Sequence, residues 1–151
     1  MKSKSGIIWA AGFVDGEGYI FIRRQPPTLA NRKKSMIYCL VLGVNNTSYP
    51  ALVKLRAIFG GSIVSTTGSI LSKKQLWRWT VERQMALSAL MLLSPYLIVK
   101  KREALIAIEF YRYCFPKRRR FTGGVAVPEK ELRLRELYRV RLHEAKHESQ
   151  T

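Results

Sequence analysis

The chain has little of what most enzymes build their chemistry from. Histidine occurs only at positions 143 and 147, and cysteine only at 39 and 114. Cys39 and Cys114 lack zinc-ligand spacing, and two thiols make no disulfide framework, so a reducing intracellular compartment is expected. His143 and His147 stand one helical turn apart without an evident third ligand, which predicts a solvated helix face. No Walker-type loop, His-Glu-x-x-His or Ser/His/Asp pattern is present, which sets aside P-loop hydrolysis, zincin proteolysis and triad acyl transfer. No long apolar run occurs either: the longest, near Ala86 to Val99, is short and holds Pro95, so no membrane span is expected. The run Gly6 to Val14 behind Lys2 and Lys4 has the outline of a signal peptide. It carries Asp15-Gly16-Glu17 and passes straight into a strand, so the chain is read as intracellular (cytoplasm, nucleoid or organelle) and not secreted.

Acid is scarce as well. Ten Asp and Glu oppose 27 Lys and Arg, a net charge of +17 with a pI near 10.4. That excess implies a polyanionic partner, most often nucleic acid. The 151 residues, 47% of them hydrophobic, are enough for one domain with a core and exclude a disordered chain.

Periodicity divides the chain into nine elements. A small-residue helix is expected over Ile7 to Gly16, with Ser5 as N-cap. A strand from Gly18 to Gln25 ends at Pro26-Pro27, the basic loop Asn31-Arg32-Lys33-Lys34 follows, and Met36 to Val44 forms a second strand. Ser48 and Pro50 open a helix from Tyr49 to Phe59, and Gly60-Gly61 closes it. Ile63 to Thr67 and Gln75 to Val81 read as a hairpin with a basic tip at Lys73-Lys74. Helices follow over Met85 to Leu93, over Lys100 to Tyr113 with Leu105 and Ile108 inward, and from Pro128 to Glu148 with Leu132, Leu137 and Val140 or Leu142 inward. The order, αββαββα with extra C-terminal helices, is an α+β fold: one four-stranded antiparallel sheet with helices on one face. The expected division is a core over 1–115, a basic linker over 116–127 and a C-terminal helix over 128–151 packed on the same domain.

The free face of such a sheet suits the DNA major groove. Alternation puts Ile20 and Ile22 in the core and Tyr19, Phe21, Arg23 and Gln25 on the free face. Arg suits guanine and Gln suits adenine, each through two hydrogen bonds. Ile37, Cys39 and Val41 of the second strand, Val64 and Thr66 of the third, and Arg78 and Thr80 of the fourth are expected beside them. Trp77, Trp79 and Val81 turn inward. Arg32, Lys33, Lys34, Lys73 and Lys74 are expected on phosphates, where they position without reading sequence.

The densest signal is Ala10-Ala11-Gly12-Phe13-Val14-Asp15-Gly16-Glu17-Gly18. Gly12 and Gly16 stand four apart on one helix face, and Ala11 and Asp15 share an adjacent one. Two such helices can cross closely because small residues let their backbones touch. The crossing sets Glu17 beside Glu17 of a partner, and two carboxylates forced together make a divalent-metal site. The plainer alternative is a glycine-capped helix end with solvated acids.

The segment resembles the LAGLIDADG signature of homing endonucleases. Three further features agree: Phe59-Gly60-Gly61-Ser62-Ile63, the strand Trp77-Arg78-Trp79, and Pro95-Tyr96-Leu97 followed by Lys100-Lys101. The resemblance covers roughly Ile7 to Lys101. It implies the αββαββα fold, with the sheet as a DNA-binding saddle. It also implies that Glu17 binds the catalytic metal with help from the Gly16 carbonyl, and that Lys100 organises water near the scissile phosphate. A polar residue after the second strand is implied in a similar role; Asn46 matches best and Asn45 is the alternative. No basic residue stands at Ser48 or Tyr49, where the family's further water-network residue would fall.

Mg²⁺ held by carboxylates can activate water and neutralise charge at phosphorus without a histidine. Mn²⁺ is expected to substitute, and Ca²⁺ to bind without supporting cleavage. With one signature and no internal repeat, two strand cuts need two chains. A C2 homodimer is therefore expected, with Ala11, Gly12, Asp15 and Gly16 at its interface. Its target would be a long palindrome or near-palindrome; the resemblance further implies cuts that leave short 3′ overhangs and a gene in an intron or other mobile element. An RNA-binding maturase and a non-catalytic DNA-binding regulator on the same scaffold are the alternatives.

Overall fold

In a computed structural model, which describes residues 2–28, 35–66, 74–115 and 126–148, helix α1 runs over Lys4–Glu17. It starts earlier than expected because Ser3, not Ser5, is its N-cap: Ser3 Oγ accepts the Gly6 N–H at 3.1 Å. The other elements are β1 (Gly18–Gln25), β2 (Ile37–Asn46), α2 (Tyr49–Phe59), β3 (Ser62–Thr66), β4 (Leu76–Glu82), α3 (Arg83–Leu93), α4 (Lys101–Cys114) and α5 (Glu129–Glu148). Their limits fall within two residues of the sequence expectation. None of the described helices is long and apolar enough to cross a membrane.

The strands form one antiparallel sheet in the order β1-β2-β4-β3. Ile20, Ile22, Leu40, Leu42, Val44, Trp79 and Val81 are buried on its inner face with Leu52, Leu55, Leu90, Leu93 and Phe110 of the helices. The bulkiest fully buried side chain, Trp79, satisfies its ring nitrogen by donating to Gly60 O at 2.8 Å. Gly60 and Gly61 both have positive φ, 78° and 89°. A Cβ on Gly61 would lie 2.3 Å from Thr80 O, so the chain can turn against β4 only with glycine there.

The last two helices bury the expected Ile108 and Leu142, with Leu132 packed at the core edge, but not Leu105, Leu137 or Val140. In α5 the inward residues are Arg135, Tyr138, Leu142 and Ala145, while Leu137 and Val140 face solvent. Arg135 is accommodated by stacking 4.3 Å from the Phe115 ring and donating to Cys114 O at 3.3 Å. In α4, Leu105 is half exposed and the small Ala104 and Ala107 are fully buried. This helix packs against β1, α3 and α5 together, and the small residues permit the close approach.

Candidate catalytic site and nucleic-acid interface

The last turn of α1 leaves its final carbonyls without intrahelical partners, and Glu17 is exposed there. The Asp15 carboxylate accepts the N–H groups of Ile98 at 2.7 Å and Lys100 at 3.0 Å. The Lys100 ammonium returns to the same turn and donates to Asp15 O at 2.6 Å. A segment more than eighty residues downstream is thereby docked on the end of α1, with a cation two residues from Glu17. A carboxylate beside the negative end of a helix offers the oxygen ligands a hard divalent cation requires. Among the described residues no group of three or more His, Cys, Asp or Glu could hold a metal.

Gly12 and Gly16 are exposed, and a Cβ added at either would meet nothing within 4 Å. Ile8 on the same helix is 46% exposed, and Ile98 and Val99 beside Asp15 are 86% and 59% exposed. Two residues expected at a helix crossing are used differently. Ala11 is fully buried within its own chain, and the Asp15 carboxylate is engaged by its own 98–100 segment.

The register puts the expected groove residues on one face. Tyr19, Gly43, Thr80 and Ser62 align across the sheet, as do Phe21, Val41 and Glu82, and as do Asn45, Arg78 and Val64. Gln25 pairs with Ile37 and Thr66 with Leu76. Exposed Arg78 donates from Nε to Asn45 Oδ1 at 3.2 Å, and the Tyr19 hydroxyl donates to the same oxygen at 3.5 Å. Gly43 leaves room for the Tyr19 ring, since a Cβ there would lie 2.4 Å from it and displace it.

Three expectations need correction on this face. Cys39 and Val41 are buried, at 3% and 2% exposure, because Phe21, Arg23 and Glu82 from the flanking strands cover them. They line the floor and do not present methyl-contact surface. Arg23 is not an open fork: it donates from Nη1 and Nη2 to Glu82 Oε1 and Oε2 at 2.6 and 2.9 Å. The alternation that placed Arg78 and Thr80 on this face places Glu82 there too, so this partner was readable. Asn46 lies on the opposite face, aligned with Trp77, and its Oδ1 accepts the Ser48 N–H at 2.8 Å. Asn45 is the asparagine on the free face, aligned with Arg78. Arg32, Lys33, Lys34 and Lys73 lie outside the described residues; Lys74 is exposed just before β4.

Sequence patterning gave no signal for a buried carboxylate behind Lys100 that feels a half-buried lysine of α5. Glu103 is 5% exposed. Burial raises its pKa against the opposing fields of Lys146 and Lys100, and burial lowers that of Lys146 in α5. His143 and His147 place their Nε2 atoms 3.1 Å apart on an exposed face.

No family model matches the chain, and no curated protein matches it. Solved structures do, and the fold they share with it is that of the LAGLIDADG homing endonucleases. The homing endonuclease I-CvuI in complex with its target in the presence of calcium superposes with a TM-score of 0.71 at 19% identity, covering 92% of this chain and 80% of that one. The archaeal intron-encoded I-Vdi141I complexed with DNA gives 0.68 at 15%, covering 92% and 82%. I-SmaMI bound to an uncleaved DNA target with calcium gives 0.69 at 17%; 91% of this chain aligns with 45% of that longer one.

Proposed function

We propose that the protein is a homing endonuclease that works as a homodimer, cutting both strands of a long palindromic or near-palindromic duplex site with Mg²⁺. The observation that carries this is the docking of Lys100 on the last turn of α1, next to an exposed Glu17, beside an unobstructed Gly12–Gly16 face. Crossing two such faces brings two Glu17 carboxylates together and completes the partial ligand set. The bound cation would supply charge neutralisation at phosphorus and a more acidic water. Glu17 and the Gly16 carbonyl would hold it. Lys100, fixed by the Asp15 carbonyl, keeps its positive charge directed at the end of α1, where negative charge develops in the transition state. Asn45, on the groove side with Arg78, takes the polar role assigned from sequence to Asn46. The sheet's free face meets the major groove, and the net charge of +17 draws the phosphates in.

The reading is tested with Glu17→Gln. Cleavage of duplex DNA is expected to disappear while affinity stays within about tenfold, since the substitution removes ligand charge and keeps shape. Loss of binding and cleavage together would make Glu17 a structural residue and overturn the assignment.

A further inference from the structure

Glu82 stands out on the groove face. It is the only carboxylate that the described strands present there, in a chain with a net charge of +17. A negative group facing phosphates costs affinity, so its presence calls for another use. Its two oxygens take the two terminal nitrogens of Arg23, from β1, in a bidentate pair at 2.6 and 2.9 Å. The pair bridges β1 and β4, the two strands that flank β2, and roofs Cys39, whose Sγ lies 3.6 Å from Glu82 Oε2. The next residue, Arg83, has φ 53°, a backbone conformation unusual for a side chain of its size. The turn sets Arg83 as a second guanidinium near Glu82 and Cys39.

An arginine reads guanine by giving two parallel N–H donors to O6 and N7. Both end nitrogens of Arg23 are already directed at a carboxylate. We propose that Glu82 is a specificity-determining residue, holding the Arg23 fork closed so that guanine is not selected at the base pair beneath it. The contrast is Arg78, exposed on the same face, which donates to Asn45 through Nε. Within one basic surface, Arg78 reads and Arg23 is withheld. The assignment rests on the sheet's free face binding duplex DNA. It adds which of the two arginines reports a base.

The experiment is selection from a randomised duplex library in Ca²⁺, followed by sequencing of bound DNA, for the wild-type chain, Glu82→Gln and Glu82→Gln with Arg23→Ala. The single substitution keeps shape and removes the charge that holds Arg23. It is expected to gain a guanine preference of roughly tenfold or more at one position per half-site, the discrimination that one bidentate contact supplies. Arg23→Ala in that background is expected to erase the gain. An unchanged base profile for Glu82→Gln, or a guanine gain that survives loss of Arg23, overturns the assignment. Wild-type protein that enriches no duplex overturns the DNA-binding reading itself, and this assignment with it.

Discussion

At the scale of single residues, the structure separates groups that look alike in sequence. Cys39 and Cys114 are both buried thiols, and burial raises the pKa of each, that of Cys114 to about 11. The sign follows: the fold favours the neutral thiol, so the stability Cys114 contributes is intact below its ordinary value of 9.0 and falls as pH rises toward about 11. Native protein at pH 8 is therefore expected to leave Cys114 unmodified by iodoacetamide, with full alkylation only in denaturant; rapid native modification would contradict its burial. Asn45 and Asn46 show what a sequence can and cannot say at this scale. Adjacent strand residues face opposite ways, so one of them had to reach the groove. The parity that puts Ile37, Cys39 and Val41 on the free face puts Asn45 there as well once β2 is seen to run on to Asn46, and Asn46, on the other face, accepts the Ser48 N–H. Glu103 was beyond reach for a different reason, since the cations that face it come from the segment before α4 and from α5.

At the scale of elements, legibility tracked period and punctuation. The strands were readable because Ile20 and Ile22 alternate with Tyr19, Phe21 and Arg23, and because Gly60-Gly61 forces a turn before β3. The faces of α4 and α5 were less so. Charged residues are spread around α5, and the chain buries Arg135 in place of Leu137 because Phe115 offers the guanidinium a ring. Helix α1 carries the sharpest test at this scale. Gly12 costs the isolated helix about 1 kcal/mol relative to alanine, and its side-chain space is empty within the chain. Gly12→Leu is expected to preserve or raise helix content and to keep the monomer folded, while abolishing the dimerisation that the proposal expects sedimentation to show for the wild-type chain and, with it, cleavage. A variant that sediments as a dimer and still cuts would place the interface elsewhere.

For the whole molecule, composition pointed to a class of partner, and topology supplies the free sheet face on which the proposed binding would take place. The charge excess implied a polyanion, but charge alone does not distinguish duplex DNA from RNA. A four-stranded antiparallel sheet with its helices on one face leaves the other free for the proposed groove contact, and the segment before α4 is docked on the Asp15 carboxylate at the end of α1. The central claim is that two such chains cut duplex DNA with a metal shared at the ends of their α1 helices. Its most direct test is incubation of the wild-type protein with a randomised duplex library in Mg²⁺, compared with Ca²⁺ and with chelator. The account predicts recovery of a near-palindromic site, cut on both strands in Mg²⁺ only and bound uncut in Ca²⁺. Cleavage unaffected by the chelator, or an enriched duplex never cut in Mg²⁺, would contradict it.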